Sequence, residues 1–126
     1  MMIKLVFCLR RLPRLSREEF QRYWLESHGP LVRRLAPALG LRRYVQVHTV
    51  TSSFSEAIRV HRGAPEDFDG VAELWWDSVD AFARAGSTKE GRDAGRLLLE
   101  DEKRFIDLVR SPIWFGEEHT LVDLTR

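Results

Sequence analysis

Alternating apolar and polar side chains predict four β-strands, at residues 2–10, 41–50, 70–76 and 113–123. The first strand carries Ile3, Leu5, Phe7 and Leu9 on one face. Lys4 is the one fully polar side chain on its other face, so we expect both faces to be partly covered. The second strand differs, because the face that carries Tyr44 also carries Gln46 and His48. This face is unusually polar for an inner strand. It could line a binding site, lie on a solvated outer face or border a water-filled barrel lumen.

Helical spacing begins directly after the first strand. Ser16 and Glu19 form the pattern of a capping box, in which each side chain satisfies a free backbone N–H at the helix start. Phe20 and Trp24 then continue an apolar stripe at the period of an α-helix. This first helix is therefore expected to pack one face on the sheet.

Gly29-Pro30 is expected to break the first helix, because proline lacks an N–H and disfavours a helical residue before it. A second short helix, residues 30–35, is expected to begin at Pro30 and to end near Pro37. His28 would then lie at a kink between two helical pieces, on the inward side.

Three more helices are predicted further along the chain. Residues 53–61 begin with a second capping-box pattern, at Ser53 and Glu56. Residues 78–86 form a short helix, and residues 87–110 form a longer one that Pro112 ends.

The predicted order is β-α-β-β-α-β, with a helical insertion at about residues 51–69 in a single domain, 1–126. This order is typical of the ferredoxin-like split βαβ arrangement, an α+β fold. Helices would cover one face of an antiparallel four-stranded sheet. The other face would expose apolar side chains unless a second copy of the chain covered it, so we expect a homodimer.

Composition excludes several classes of protein. There are 20 Lys and Arg against 19 Asp and Glu, so no charge excess favours nucleic acid or an anionic membrane. Cys8 is the single cysteine, which excludes an intrachain disulfide and a cysteine-based zinc cluster. We expect no membrane span and no signal peptide, because the apolar runs are short and interrupted, and a cytoplasmic location is the default.

His28 and Tyr44 are the sharpest candidates for chemistry. A histidine of ordinary pKa can accept and return a proton at neutral pH. His28 could equally be a core residue that bonds a backbone carbonyl freed by Pro30. Tyr44 could donate a hydrogen bond to a carbonyl or a developing enolate, with Gln46 and His48 beside it.

Two carboxylates stand in apolar stripes. Glu73 would either form a salt bridge at a dimer interface or carry a proton after burial. Asp101 and Glu102 interrupt a helical stripe, so one of them should turn inward. The inward one could orient His28 by accepting its other ring N–H, but we expect it to meet an arginine of the first helix, Arg17 or Arg22. Aromatic side chains such as Trp24 and Trp75 are expected in the core, the dimer interface or a pocket wall.

Four blocks, in order along the chain, resemble the EthD domain family of the dimeric α+β barrel superfamily. They are W-L-E-S-H-G-P-L at residues 24–31, D-G-V-A-E-L-W-W at 69–76, E-D-E with F-I at 100–106, and S-P-I-W with E-E-H at 111–119. The resemblance implies a ferredoxin-like homodimer in which two sheets close a barrel.

The resemblance also carries a functional expectation. The family is similar to methylmuconolactone isomerases and to fungal polyketide-tailoring dehydratases and decarboxylases, which need no cofactor. Their pocket histidine falls on His28, and their pocket tyrosine falls on Tyr44. The isomerases also use cysteines near the pocket, whereas the matching third-strand position here is Leu74.

These points lead to one functional hypothesis and two alternatives. The hypothesis is an enzyme without cofactor or metal that moves protons on a small cyclic or aromatic, lactone or polyketide-like metabolite. His28 would be its acid and base, Tyr44 would polarise the substrate, and the substrate-binding residues would be Trp24, Gln46, His48, Glu73, Trp75 and Asp101. The alternatives are a non-catalytic small-molecule-binding or accessory protein, and haem chemistry with a ligand among His28, His48, His61 and His119.

Overall fold

The sheet has four antiparallel strands in the order β2-β3-β1-β4. The computed structural model describes residues 2–126. Its strands are β1 (Ile3–Leu9), β2 (Arg43–His48), β3 (Gly70–Trp76) and β4 (Ile113–Gly116). This order confirms the split βαβ, α+β prediction.

Five α-helices connect the strands within the described residues. They are α1 (Arg17–Tyr23), α2 (Gly29–Leu39), α3 (Ser53–Arg62), α4 (Val79–Gly86) and α5 (Lys89–Glu102). The capping box at the start of α1 is present in full: the Ser16 side chain accepts from the Glu19 N–H, and the Glu19 side chain accepts from the Ser16 N–H. The predicted box at Ser53 is wrong, since Ser52 caps α3 by accepting from the Ser55 N–H.

The expected break at Gly29-Pro30 is wrong. The chain stays helical through a single π-turn, Trp24–His28, in which the Gly29 N–H donates to the Trp24 carbonyl. The wider turn leads directly into α2, with Pro30 in its first turn, where a missing N–H costs little. The helix also passes Pro37 and ends at Gly40, whose φ of 69° lies in the left-handed region that favours glycine.

The last predicted helix and strand are shorter than expected. α5 ends at Glu102 because the chain after it turns in to the end of β1: Phe105 and Ile106 are buried, and the Asp107 N–H donates to the Arg10 carbonyl at 2.8 Å. β4 stops at Gly116, since only the middle of β1, Lys4 to Phe7, pairs with it.

The core lies between the sheet and the helices. It joins side chains of β1, α1 and β3 with the segment after α5: Phe7, Leu9, Phe20, Trp24, Ala72, Phe105 and Ile106. Gly70 opens β3 directly beneath Trp24, and a Cβ there would lie 2.8 Å from Trp24 Cη2. Glycine at this point therefore lets the indole settle against the strand.

The opposite face of the sheet carries no helix among the residues described. Its side chains combine charge and apolar surface, with Val47 47% and Trp114 50% exposed. Between residues 2 and 126 the structure has no helix with the length and apolar character needed to cross a bilayer.

Candidate active site

His28 is buried where the π-turn meets α2, and its ring is held by an acid from another helix. Nδ1 of His28 lies 2.7 Å from Oδ2 of Asp101, at the end of α5. The Tyr23 hydroxyl donates to the other carboxylate oxygen, Asp101 Oδ1, at 2.5 Å. With the carboxylate as acceptor, Nδ1 carries the ring proton and Nε2 keeps its lone pair.

Burial lowers the pKa of His28 below its ordinary value of 6.5, and the hydrogen bond and charge of Asp101 only partly oppose this. At neutral pH the ring is therefore uncharged. Nε2 of His28 has no hydrogen-bond partner among residues 2–126. Every side-chain nitrogen or oxygen there that is fully shielded from solvent does have such a partner, so Nε2 retains some accessible surface. A neutral imidazole with a fixed tautomer and an accessible lone pair is what a general base requires.

The expectation that the inward-turned acid, Asp101 or Glu102, meets an arginine of the first helix is wrong. Arg17 is engaged elsewhere, with Asp67 at 2.7 Å and Asp69 at 3.0 Å. Because the π-turn rotates His28 toward α5, Asp101 accepts from the imidazole instead. The alternative in which Asp101 orients His28 is the arrangement observed.

His28 lines a small internal cavity of about 30 Å³ between the helices and the sheet. A volume of this size holds a single water molecule or one small group of a ligand. Two other ionisable side chains, Tyr44 and Glu102, reach the same cavity, and its remaining walls are apolar. The cavity therefore brings three proton-carrying groups together in surroundings of low polarity.

Burial raises the pKa of Glu102 to about 7, and the nearby charge of Asp101 adds to this effect. Burial likewise raises the pKa of Tyr44 to about 12. At neutral pH the tyrosine is fully protonated and the glutamic acid partly so. Both can donate hydrogen bonds where His28 accepts one.

Tyr44 is oriented by a short chain of hydrogen bonds on β2. Gln46 Nε2 donates to the Tyr44 hydroxyl at 2.7 Å and to the Trp24 carbonyl at 2.9 Å. Gln46 Oε1 lies 2.7 Å from Nε2 of His48, whose ring stacks on Trp24 with a centroid distance of 4.5 Å. Because the Gln46 amide donates to the tyrosine oxygen, the hydroxyl proton of Tyr44 remains available for another acceptor.

A larger groove of about 540 Å³ lies outside, between α2 and β2. Its walls come from both elements and from the π-turn: Leu25, Gly29, Val32, Arg33, Ala36, Leu41, Arg42, Arg43, Tyr44, Gln46 and His48. Tyr44 and Val32 line both spaces. The groove has the size of a small-molecule site, and the two shared residues make it a neighbour of the inner cavity.

Comparison with known proteins places the chain in a family. The model of the EthD domain matches residues 12–109. The chain belongs to the EthD domain family. A solved EthD family protein of Bacillus halodurans is 24% identical and covers 94% of this chain and 100% of its own, with a TM-score of 0.62.

Two further solved structures share the fold of this EthD domain. A dimeric protein of unknown function with a ferredoxin-like fold, from Bacteroides fragilis, is 12% identical over 93% of this chain and 96% of its own, with a TM-score of 0.58. SnoaB of Streptomyces nogalater, a cofactor-independent oxygenase, is 16% identical over 97% of this chain and 98% of its own, with a TM-score of 0.51. At these identities the likeness concerns the fold alone.

Six of the eight residues singled out from the sequence meet in this part of the EthD domain: His28, Tyr44, Trp24, Gln46, His48 and Asp101. Glu73 and Trp75 do not join them, because they lie on the opposite face of the sheet. Glu73 pairs there with Lys4 at 3.1 Å, and Trp75 donates from Nε1 to Glu118 at 2.6 Å.

Glu102 lies in the site of the EthD domain, although it was not among the site residues predicted from the sequence. Only one of the two acids of α5 was expected to turn inward, yet Asp101 bonds His28 and Glu102 lines the cavity. The helical spacing indicates this position, since Glu102 follows Leu98 by four residues and therefore shares its face of the helix. Both residues line the cavity. Within residues 2–126 no group of three metal-binding side chains converges.

Proposed function

We propose that this EthD domain is an enzyme that works without a cofactor and removes a proton from a small metabolite. The substrate class is a cyclic or aromatic compound, a lactone or a polyketide-like phenol, with a C–H bond acidified by a neighbouring carbonyl. His28 is the base. The pairing of His28 Nδ1 with Asp101 at 2.7 Å, which leaves Nε2 accessible in a buried site, carries the proposal.

The chemistry follows from the charges at neutral pH. Asp101 stabilises the imidazolium that forms when His28 takes a proton, as the acid of a base–orienter pair does. The Tyr44 proton, which its bond from Gln46 leaves free, can bond the enolate oxygen that develops on the substrate. Positioned proton transfer of this kind contributes about 10²–10⁴-fold to the rate.

The substrate would enter through the outer groove. A space of about 540 Å³ accommodates a small cyclic molecule, whereas the inner cavity of about 30 Å³ accepts only a reacting group. We therefore place the body of the substrate against α2 and its acidic carbon beyond Tyr44. Gln46 and His48 line the groove, and Trp24 holds both in place through its carbonyl and its ring.

A small lactone tests the proposal. α-Angelica lactone has a C–H bond acidified by both its carbonyl and its double bond, and ¹H NMR in D₂O follows the loss of that proton. Wild-type protein should exchange it faster than buffer alone, and His28→Ala should lose the excess rate while keeping its circular dichroism spectrum. His61→Ala is the matched control, because His61 is exposed on α3. Equal rates with wild type, His28→Ala and buffer would contradict the proposal.

We also propose that the protein acts as a homodimer formed through the open face of the sheet. Exposed Val47 and Trp114 on that face provide apolar surface for a second copy. A neighbour of the same fold is described as dimeric. Glu73 and Trp75 would then belong to the interface and not to the site.

A further inference from the structure

Glu102 has no part in the chemistry derived so far, although it faces the same cavity as His28. Its carboxyl group has no hydrogen-bond partner among residues 2–126, and the cavity around it is otherwise lined almost entirely by apolar side chains. A carboxylic acid without a partner in such surroundings costs free energy unless it stays protonated. This placement calls for an explanation beyond packing.

We infer that Glu102 is the second proton carrier of the site, a general acid that delivers a proton to the substrate at a different atom from the one His28 deprotonates. The inference rests on the proposed function and names its reaction class, an isomerisation that moves a double bond. Glu102 and His28 share a cavity of about 30 Å³, so both reach one small reacting group.

The protonation states of the two groups fit this division. Burial lowers the pKa of His28, which is therefore a free base at neutral pH, while burial raises the pKa of Glu102 to about 7, which leaves much of it in the acid form. Environments that move two neighbouring pKa values in opposite directions define an acid and a base.

The step balances on α-angelica lactone. The C3–H bond breaks and its proton goes to Nε2 of His28. The electron pair of that bond forms the C3–C4 double bond, and the electrons of the C4–C5 double bond form a new C5–H bond with the carboxyl proton of Glu102. One proton returned from the imidazolium to the carboxylate through water restores both groups, so no oxidant or co-reactant is required.

The two halves of the reaction can be measured separately in D₂O by ¹H NMR. Loss of the C3–H signal reports proton removal, and the appearance of the vinylic C4–H signal of the isomer reports isomerisation, since C5 receives a deuteron in D₂O. Glu102→Gln keeps the size of the side chain and cannot give up a proton. We expect it to retain C3 exchange within a few-fold and to lose isomerisation by about 100-fold or more. Glu100→Gln, an exposed neighbour on α5, is the control and should leave both rates unchanged.

The pH dependence of wild-type protein gives a second test that needs no folded variant. The groups facing Glu102 are His28 from the π-turn, Tyr44 from β2 and neighbouring Asp101, which is bonded by Tyr23. Tyr44, with a pKa of about 12, stays neutral, and the pKa of His28 lies below 6.5. Isomerisation should therefore fall as pH rises through about 7, while C3 exchange does not.

The outcomes separate the two proposals. A wild-type protein that exchanges no deuterium above buffer overturns the proposed function, and this inference falls with it. Exchange without isomerisation in wild type, isomerisation by Glu102→Gln at the wild-type rate, or an equal loss of both rates in that variant overturns the role of Glu102 alone.

Discussion

A half-buried acid with a raised pKa makes the folded protein less stable as the pH rises. The unfolded chain releases the Glu102 proton near 4.5, whereas the folded protein holds it until about 7. Stability from this group is therefore fully present below pH 4.5 and is lost as the pH rises through about 7. Glu102→Gln should remove this loss, because an amide of the same size stays neutral.

The magnitude follows from the distance between the two pKa values. Each pKa unit corresponds to about 1.4 kcal/mol, so the gap between 4.5 and about 7 corresponds to about 3 kcal/mol once both states are ionised. At pH 5 most of this penalty is absent. The variant should therefore differ little from wild type at pH 5 and be more stable by about 2–3 kcal/mol at pH 8.

Urea unfolding followed by tryptophan fluorescence measures this difference. Both proteins are titrated with urea at pH 5 and at pH 8. The protein concentration is kept the same throughout, because the measured stability of an oligomer depends on it. The depressed pKa of His28 favours stability at higher pH, but it acts in both proteins and cancels in the comparison. Glu100→Gln is the exposed control. A Glu102→Gln variant whose advantage over wild type does not grow with pH would refute the raised pKa of Glu102.

Three other substitutions test separate parts of the account. Asp101→Asn should lower the pKa of His28 further, because it removes the charge that opposes the effect of burial, and should destabilise the fold by about 1–3 kcal/mol. An NMR titration measures the pKa and urea unfolding measures the stability. An unchanged His28 pKa would contradict the pairing. Gly70→Ala should cost about 1–3 kcal/mol in urea unfolding, because its Cβ would lie 2.9 Å from the Val47 carbonyl and would meet Trp24; a variant as stable as wild type would contradict this close packing. Val47→Glu should shift the mass measured by light scattering from dimer to monomer, whereas an unchanged dimer would place the interface elsewhere.

The sheet could be predicted from the sequence because strand faces depend on a simple alternation. Tyr44, Gln46 and His48 were expected on one face, and the register that pairs Tyr44 with Leu74 and Gln46 with Ala72 places them beneath the helices. The polar character of this face was visible in the sequence. What it faces depends on how the helices pack, which no local pattern encodes.

The course of the chain around His28 could not be predicted from local rules. Gly29-Pro30 normally ends a helix, but one π-turn accommodates the missing N–H and keeps the backbone helical. That extra residue in the turn carries His28 toward Asp101, 73 positions away in the sequence. Contacts over such a separation depend on the packing of α5 against the π-turn.

The central claim is that His28 is a neutral base at physiological pH, protonated on Nδ1 toward Asp101 and free on Nε2. A long-range ¹H–¹⁵N correlation NMR titration of uniformly labelled protein reads both ring nitrogens directly, with His28→Ala to assign the signals. The account predicts that at pH 7 the Nε2 signal is that of an unprotonated nitrogen and the Nδ1 signal that of an N–H, with the midpoint of the titration below pH 6.5. An imidazolium at pH 7, or a proton on Nε2 in place of Nδ1, would contradict it.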